Sequence, residues 1–155
     1  MLPSYLSGLR LAGRRVVVVG AGAVTTRRLA PLLAAGADVV VIAPEATAGI
    51  ARRARQGELT WLPREFRNDD LTDAWYAMAA TDNANVNAAV AAEAESRRIF
   101  CVRADDATDA TAWTPATAEV DGVIVGVLAG GHPRRAAHVR DLVVELLARI
   151  ARRAA

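Results

Sequence analysis

The sequence predicts an α/β fold: a Rossmann-like doubly wound parallel sheet with a C-terminal hairpin-plus-helix arm. Three observations predict it. Short β-branched runs alternate with longer stretches of helical spacing, and the first run ends in a glycine-rich turn. Near residue 112 the alternation gives way to a hairpin pattern.

"RVVVVG" (15–20) is apolar on both faces, as a strand buried on both sides of a parallel sheet must be. "AVTTRRLAPLLAAG" (23–36) carries Val24, Leu29, Leu32 and Leu33 at helical spacing, and Gly36 supplies the C-terminal stop. Pro31 lies inside this helix and predicts a kink, because its ring obstructs the carbonyl of Arg27. "DVVVIAP" (38–44) is the second buried strand, "ATAGIARRARQG" (46–57) a basic helix and "LTWLP" (59–63) a short strand. "DAWYAMAATD" (73–82) reads as a fourth strand, "NANVNAAVAAEAESRR" (83–98) as an alanine-rich helix and "IFCVRA" (99–104) as a fifth strand. "AWTPATAEV" and "VIVGVLAGG", joined at Asp121-Gly122, form the hairpin. A last helix, roughly 133–153, places Val139, Leu142, Val143, Leu146, Leu147 and Ile150 on one face. Residues 1–112 are thus expected as the sheet domain and 113–155 as the arm. The arm is too small for a core of its own and must pack on the sheet or on a second subunit.

Composition bounds the chemistry. With 155 residues, 53% hydrophobic and 23% charged, the chain is globular. No apolar run reaches the roughly 18 residues that a membrane span requires, and the opening stretch lacks signal-peptide order, so the expected location is cytoplasmic. Cys101 is the sole cysteine, which agrees with a reducing compartment. The chain contains no lysine, which removes Walker-type, Schiff-base and lysine-base chemistry. Net charge is only +2. The basic C-terminal arginines share their helix with Asp141 and Glu145 and have no aromatic among them to stack a base, so a nucleic-acid role is disfavoured. His132 and His138 have no zinc-ligand spacing with Cys101, so no metal site is expected.

Four constellations carry chemistry. Gly20-Ala21-Gly22-Ala23-Val24-Thr25 lies between the first strand and the first helix, where a dinucleotide-binding turn receives pyrophosphate at a helix N-terminus. Its third position, usually Gly or Ala, is Thr25. After the second strand, Pro44 and Glu45 stand where an acid binds ribose hydroxyls; a charge at the start of the next helix is the other reading. No arginine follows at once to meet a 2′-phosphate, which favours NAD over NADP. Thr81 and Asp82 end the fourth strand, at the edge where ligands bind, and Asp82 or Asn83 caps the next helix. Asp105 follows the fifth strand; pattern alone favours a solvated loop for Asp105, Asp106 and Asp109, whereas its place at the ligand edge fits a proton acceptor.

Taken together, these residues resemble the precorrin-2 dehydrogenase module of siroheme synthases. The resemblance is carried by "LRLAGRRVVVVGAGAV", "AGADVVVIAPE", "AATDNANVNAAVAAEAESRRIFC", Asp105, Pro115 and "VGVLAGG". It implies NAD-dependent oxidation of precorrin-2 to sirohydrochlorin, with ferrous iron insertion in some members. It further implies a catalytic role for Asp105, cofactor contacts at Gly20, Gly22, Ala23, Val24, Pro44, Glu45, Thr81 and Asp82, and a homodimer joined through the arm. The chain departs from the family pattern before the aspartate, where Val102-Arg103-Ala104 replaces a common Asn-Val-Val, and after Gly130-Gly131, where "HPRR" replaces Ser-Pro. The competing reading is an NAD-binding regulatory module without turnover. The short-chain dehydrogenase type needs a lysine that is absent, and the zinc alcohol type needs absent cysteines.

Overall fold

A computed structural model describes residues 4–154. The sequence order is β1 (Arg15–Val19), α1 (Ala23–Ala34), β2 (Asp38–Ile42), α2 (Ala48–Arg55), β3 (Thr60–Leu62), a 3-10 turn at Asn68–Leu71, β4 (Tyr76–Ala79), α3 (Ala84–Ser96) and β5 (Phe100–Arg103). A hairpin, β6 (Ala116–Val120) and β7 (Val123–Val127), and α4 (Pro133–Ala154) follow. Two compact units result: Gly8–Ala112, and Trp113 onward together with the segment up to Ser7.

The first unit is a five-stranded sheet in the order β3-β2-β1-β4-β5, every pair parallel. Because successive side chains of a strand face opposite ways, the valine runs serve two cores at once. Val16, Val18, Val39 and Val41 face Leu29 of α1 and Ile50 of α2. Val17, Val19, Val40 and Ile42 face Leu71 with Val90 and Ala94 of α3. Each fully buried valine or leucine contributes roughly 1.5–3 kcal/mol. The doubly wound expectation holds.

The turns explain where elements stop. Helix α1 runs through Pro31 and ends in a Schellman arrangement: Gly36, at φ +71°, donates to the Leu33 carbonyl and Ala37 to that of Leu32. Strand β4 is shorter than the 73–82 predicted. Asp73 sits at φ 59° in a turn before it, and Thr81 and Asp82 already belong to the approach to α3. Helix α2 likewise starts at Ala48 rather than 46, because Thr47 caps it.

In the second unit, Asp121 (φ 48°) and Gly122 (φ 76°) both adopt positive φ, the turn that suits a two-residue hairpin. Helix α4 packs on the hairpin. Among the described residues from Trp113 onward, only Ala136 is buried. Val123, Ile124, Leu142, Leu146 and Ile150 are exposed.

Candidate active site

The sheet order reverses between β1 and β4: the chain winds outward from β1 through β2 to β3, then crosses to β4 and β5. The crevice beyond the C-terminal ends of these two strands is where open α/β sheets bind ligands. Gly20, leaving β1, is pressed against the chain leaving β4. A Cβ there would lie 2.3 Å from the Ala80 carbonyl oxygen and 3.0 Å from the Thr81 nitrogen, and φ is +105°. Only glycine fits. Gly20 N–H donates to the Ile42 carbonyl (2.8 Å), Ala80 N–H to Val19 (2.8 Å) and Thr47 N–H to Ala21 (3.1 Å). These bonds draw the exits of β1, β2 and β4 into one cluster.

Gly22 is different. It is the N-cap of α1 with an ordinary φ of −87°, and no protein atom lies within 4 Å of a Cβ built on it. Nothing inside the chain requires glycine at 22; a molecule approaching the backbone from outside would. No side chain caps α1, and its first turn holds no acid. The helix therefore offers open amide donors at its positive end, a fit for pyrophosphate. Thr25, the departure at the third position, is buried and donates its hydroxyl to the Gly20 carbonyl at 2.8 Å, bracing the turn from within. Thr26 donates to the Gly22 carbonyl at 3.0 Å, and its hydroxyl lies 2.9 Å from that of Thr47. Ala21 is buried, whereas Ala23 is exposed and Val24 half-buried on the first turn of α1.

Pro44 and Glu45 are exposed on the loop after β2. The N-cap of α2 is Thr47, whose hydroxyl accepts from Ile50 N–H, and no acid lies in the first turn of α2. Glu45 lies two residues before that cap, outside the first turn of α2.

After β4, Asn83 rather than Asp82 caps α3: its Oδ1 accepts from Asn85 N–H (3.0 Å) and Val86 N–H (3.3 Å). Asp82 is exposed. Thr81 is committed to an internal partner, Asn87, whose Oδ1 accepts the Thr81 N–H (3.0 Å) and whose Nδ2 donates to the Thr81 carbonyl (3.0 Å). The Thr81 hydroxyl lies 2.8 Å from the same Oδ1. Asn87 is fully buried and was not among the residues singled out from the sequence. A signal existed, because Asn87, Val90 and Ala94 share the buried face of α3, and a polar residue on a core face must be satisfied.

Ala104 N–H donates to the Ala79 carbonyl (2.9 Å), which sets Asp105 beside the β4 exit. Asp105 is gripped by Arg103, with Nε 3.2 Å from Oδ1 and Nη2 2.9 Å from Oδ2. That fork, with a smaller contribution from the amide of Asn87, holds the carboxyl down at about 2. Asp105 is therefore ionised throughout the neutral range. Asp106 Oδ1 accepts from Thr108 N–H (2.8 Å) in a local turn, and Asp109 lies 3.6 Å from Arg103. Cys101 is buried, and its thiol is pushed up to about 11, which removes it as a nucleophile.

A family described as "Putative NAD(P)-binding" matches residues 8–116. A precorrin-2 dehydrogenase of Bacillus subtilis is 30% identical over 95% of this chain and 89% of its own length. The chain belongs to the NAD(P)-binding precorrin-2 dehydrogenase family. A siroheme synthase of Chromobacterium violaceum is 42% identical over 123 residues, which are 79% of this chain and 26% of that relative's length. The chain thus spans about a quarter of such longer relatives. Among solved structures, SirC, a precorrin-2 dehydrogenase, superposes with a TM-score of 0.78 at 25% identity, covering 92% of this family member and 70% of its own chain.

Proposed function

We propose that the chain is an NAD-dependent dehydrogenase that oxidises precorrin-2 to sirohydrochlorin, a step toward siroheme. One observation carries it: an uncapped helix N-terminus, opened by a glycine that no intramolecular contact demands, lies at the sheet's switch point with an ionised carboxylate at the same edge. The relatives supply the substrate class.

NAD, when bound, supplies a two-electron hydride acceptor. The residues of the chain do the rest. Backbone amides of Gly22, Ala23 and Val24 receive the pyrophosphate, with Gly20 and Ala21 forming the bend beneath. Glu45 accepts ribose hydroxyls, and Pro44 stiffens its approach. Thr81 and Asp82 line the β4 side, Thr81 through backbone that Asn87 holds in place. Asp105, already ionised, is the acceptor for the proton that leaves with substrate oxidation. Arginines of α4 are suited to the several carboxylates of a tetrapyrrole, because guanidinium binds carboxylate side-on.

The arm supports self-association. A hairpin and helix with a single buried residue among those described and an exposed stripe at Leu142, Leu146 and Ile150 leave apolar surface for a second copy to cover. A homodimer is accordingly part of this reading. Ferrous iron, as a second substrate, would use the same carboxylate.

The test is anaerobic incubation with precorrin-2 and NAD, following NADH and sirohydrochlorin together. Equal yields of both are expected. A folded protein that binds NAD yet turns nothing over would instead be a nucleotide-binding module.

A further inference from the structure

We propose that Arg103 is a positioning residue for the reaction: its guanidinium, bonded to both carboxylate oxygens, locks the Asp105 carboxylate in one orientation. This rests on the reading of Asp105 as the reaction's carboxylate. Strand β5 is apolar where it is buried, yet its last residue is an arginine. Its side-chain hydrogen bonds both go to Asp105. Nε and Nη2 take the two oxygens of Asp105 at 3.2 and 2.9 Å, and Nη1 lies 3.6 Å from Asp109 Oδ2. The Nε–Nη2 edge of the fork is taken up by Asp105 and the side chain is only 7% exposed, so Arg103 acts through Asp105 rather than on the substrate.

The charged and polar groups that face Asp105, among the described residues, are few. Arg103 comes from β5 and Asn87 from α3; Asp106 and Asp109, on the loop itself, act on the same guanidinium. Without the arginine, three acids would crowd one loop with no cation, and like charges favour protonation. With it, the carboxyl is held at about 2 and both oxygens have a fixed direction. A planar fork fixes direction in a way that a single ammonium does not.

The experiment pairs a spectroscopic titration with a rate profile. In the full chain, the Asp105 side-chain carbon is followed by carbon-13 NMR from pH 7 downward, in the wild type, Arg103→Val and Arg103→Lys. In the wild type its shift should stay nearly constant down to about pH 3.5, where an ordinary aspartate is already more than half protonated. In Arg103→Val the midpoint should rise by about two pH units, to the ordinary aspartate value near 3.9. Arg103→Lys, with its charge but no fork, should fall between, and it covers the case in which the valine variant fails to fold. With precorrin-2 and NAD, the acid limb of kcat should move in step with the titration while NAD affinity stays fixed. Titration midpoints that coincide in all folded variants, or active variants whose rate profiles superimpose on the wild type, would overturn the proposal. A shifted midpoint without turnover in any variant, wild type included, would uphold the hold of Arg103 on Asp105 and sink the dehydrogenase reading instead.

Discussion

Gly20 and Gly22 sit two residues apart in one turn, yet they answer to different forces. Gly20 is demanded by the chain itself, since any Cβ would strike the Ala80 carbonyl. Gly20→Ala should therefore lower stability by roughly 3 kcal/mol or more, read from urea unfolding, because both the contact and the positive φ oppose it. Gly22→Ala meets no protein atom. It should cost at most about 1 kcal/mol, the usual loss at an N-cap, while NAD affinity measured by calorimetry falls at least about tenfold. Equal affinity in Gly22→Ala would mean that the dinucleotide does not approach this backbone. Asp105→Asn keeps the shape of the carboxylate and removes its basicity. It should lower kcat by about 10²–10⁴-fold and leave NAD affinity unchanged. At this scale the glycines and Asp105 were visible in the sequence through their places after strands. Arg103 and Asn87 were not, because a side chain's partner two or six residues away depends on how the loop folds back.

At the scale of elements, polar contacts at buried sites join the apolar packing that links β4, α3 and the loop after β3. Asn87 replaces a backbone partner for Thr81. Asn87→Ala would strand that N–H and carbonyl in the interior, at a cost of roughly 2–4 kcal/mol, and lower the melting temperature accordingly. The 3-10 turn at Asn68–Leu71 depends on Asp70, which is buried and accepts two bonds from Arg64 (2.8 and 2.6 Å) and one from Arg67 N–H (2.8 Å). The Arg64 fork holds the Asp70 carboxyl below its ordinary value. A carboxyl lowered in the folded state binds its proton more tightly when unfolded. Its stabilisation is thus complete above the unfolded value, near 3.9, and is lost as pH falls through the lower, folded one. Asp70→Asn should cost about 1–3 kcal/mol at neutral pH and flatten the acid side of the stability curve. An unchanged acid side would assign that loss to other carboxylates. Element types were legible from periodicity, whereas element ends were set by turns such as Asp73 and by Thr47 and Asn83 as caps.

At the scale of the molecule, the two units differ in kind. Gly8–Ala112 buries two faces of one sheet and holds its core. The unit built on the hairpin and α4 buries only Ala136 among its described residues and exposes an apolar stripe. If that stripe is covered by a second copy, Leu142→Glu with Leu146→Glu should convert a dimer to monomers in sedimentation equilibrium. The variant's first unit should remain folded and able to bind NAD. A wild type that sediments as a monomer at micromolar concentration would remove self-association from the reading.

The sequence by itself determined the doubly wound sheet, the glycine turn between β1 and α1, and the hairpin at Asp121-Gly122, because these depend on side-chain period and on backbone freedom at single residues. It also limited the chemistry by the absence of lysine. Tertiary structure decided which duties those residues have. It separated the glycine that packing requires from the one that it does not, and gave the cap of α3 to Asn83 rather than Asp82. It also bound the Asp105 carboxylate to Arg103. Such assignments depend on distances between strand exits that are far apart in the chain, and only the folded sheet brings those exits together.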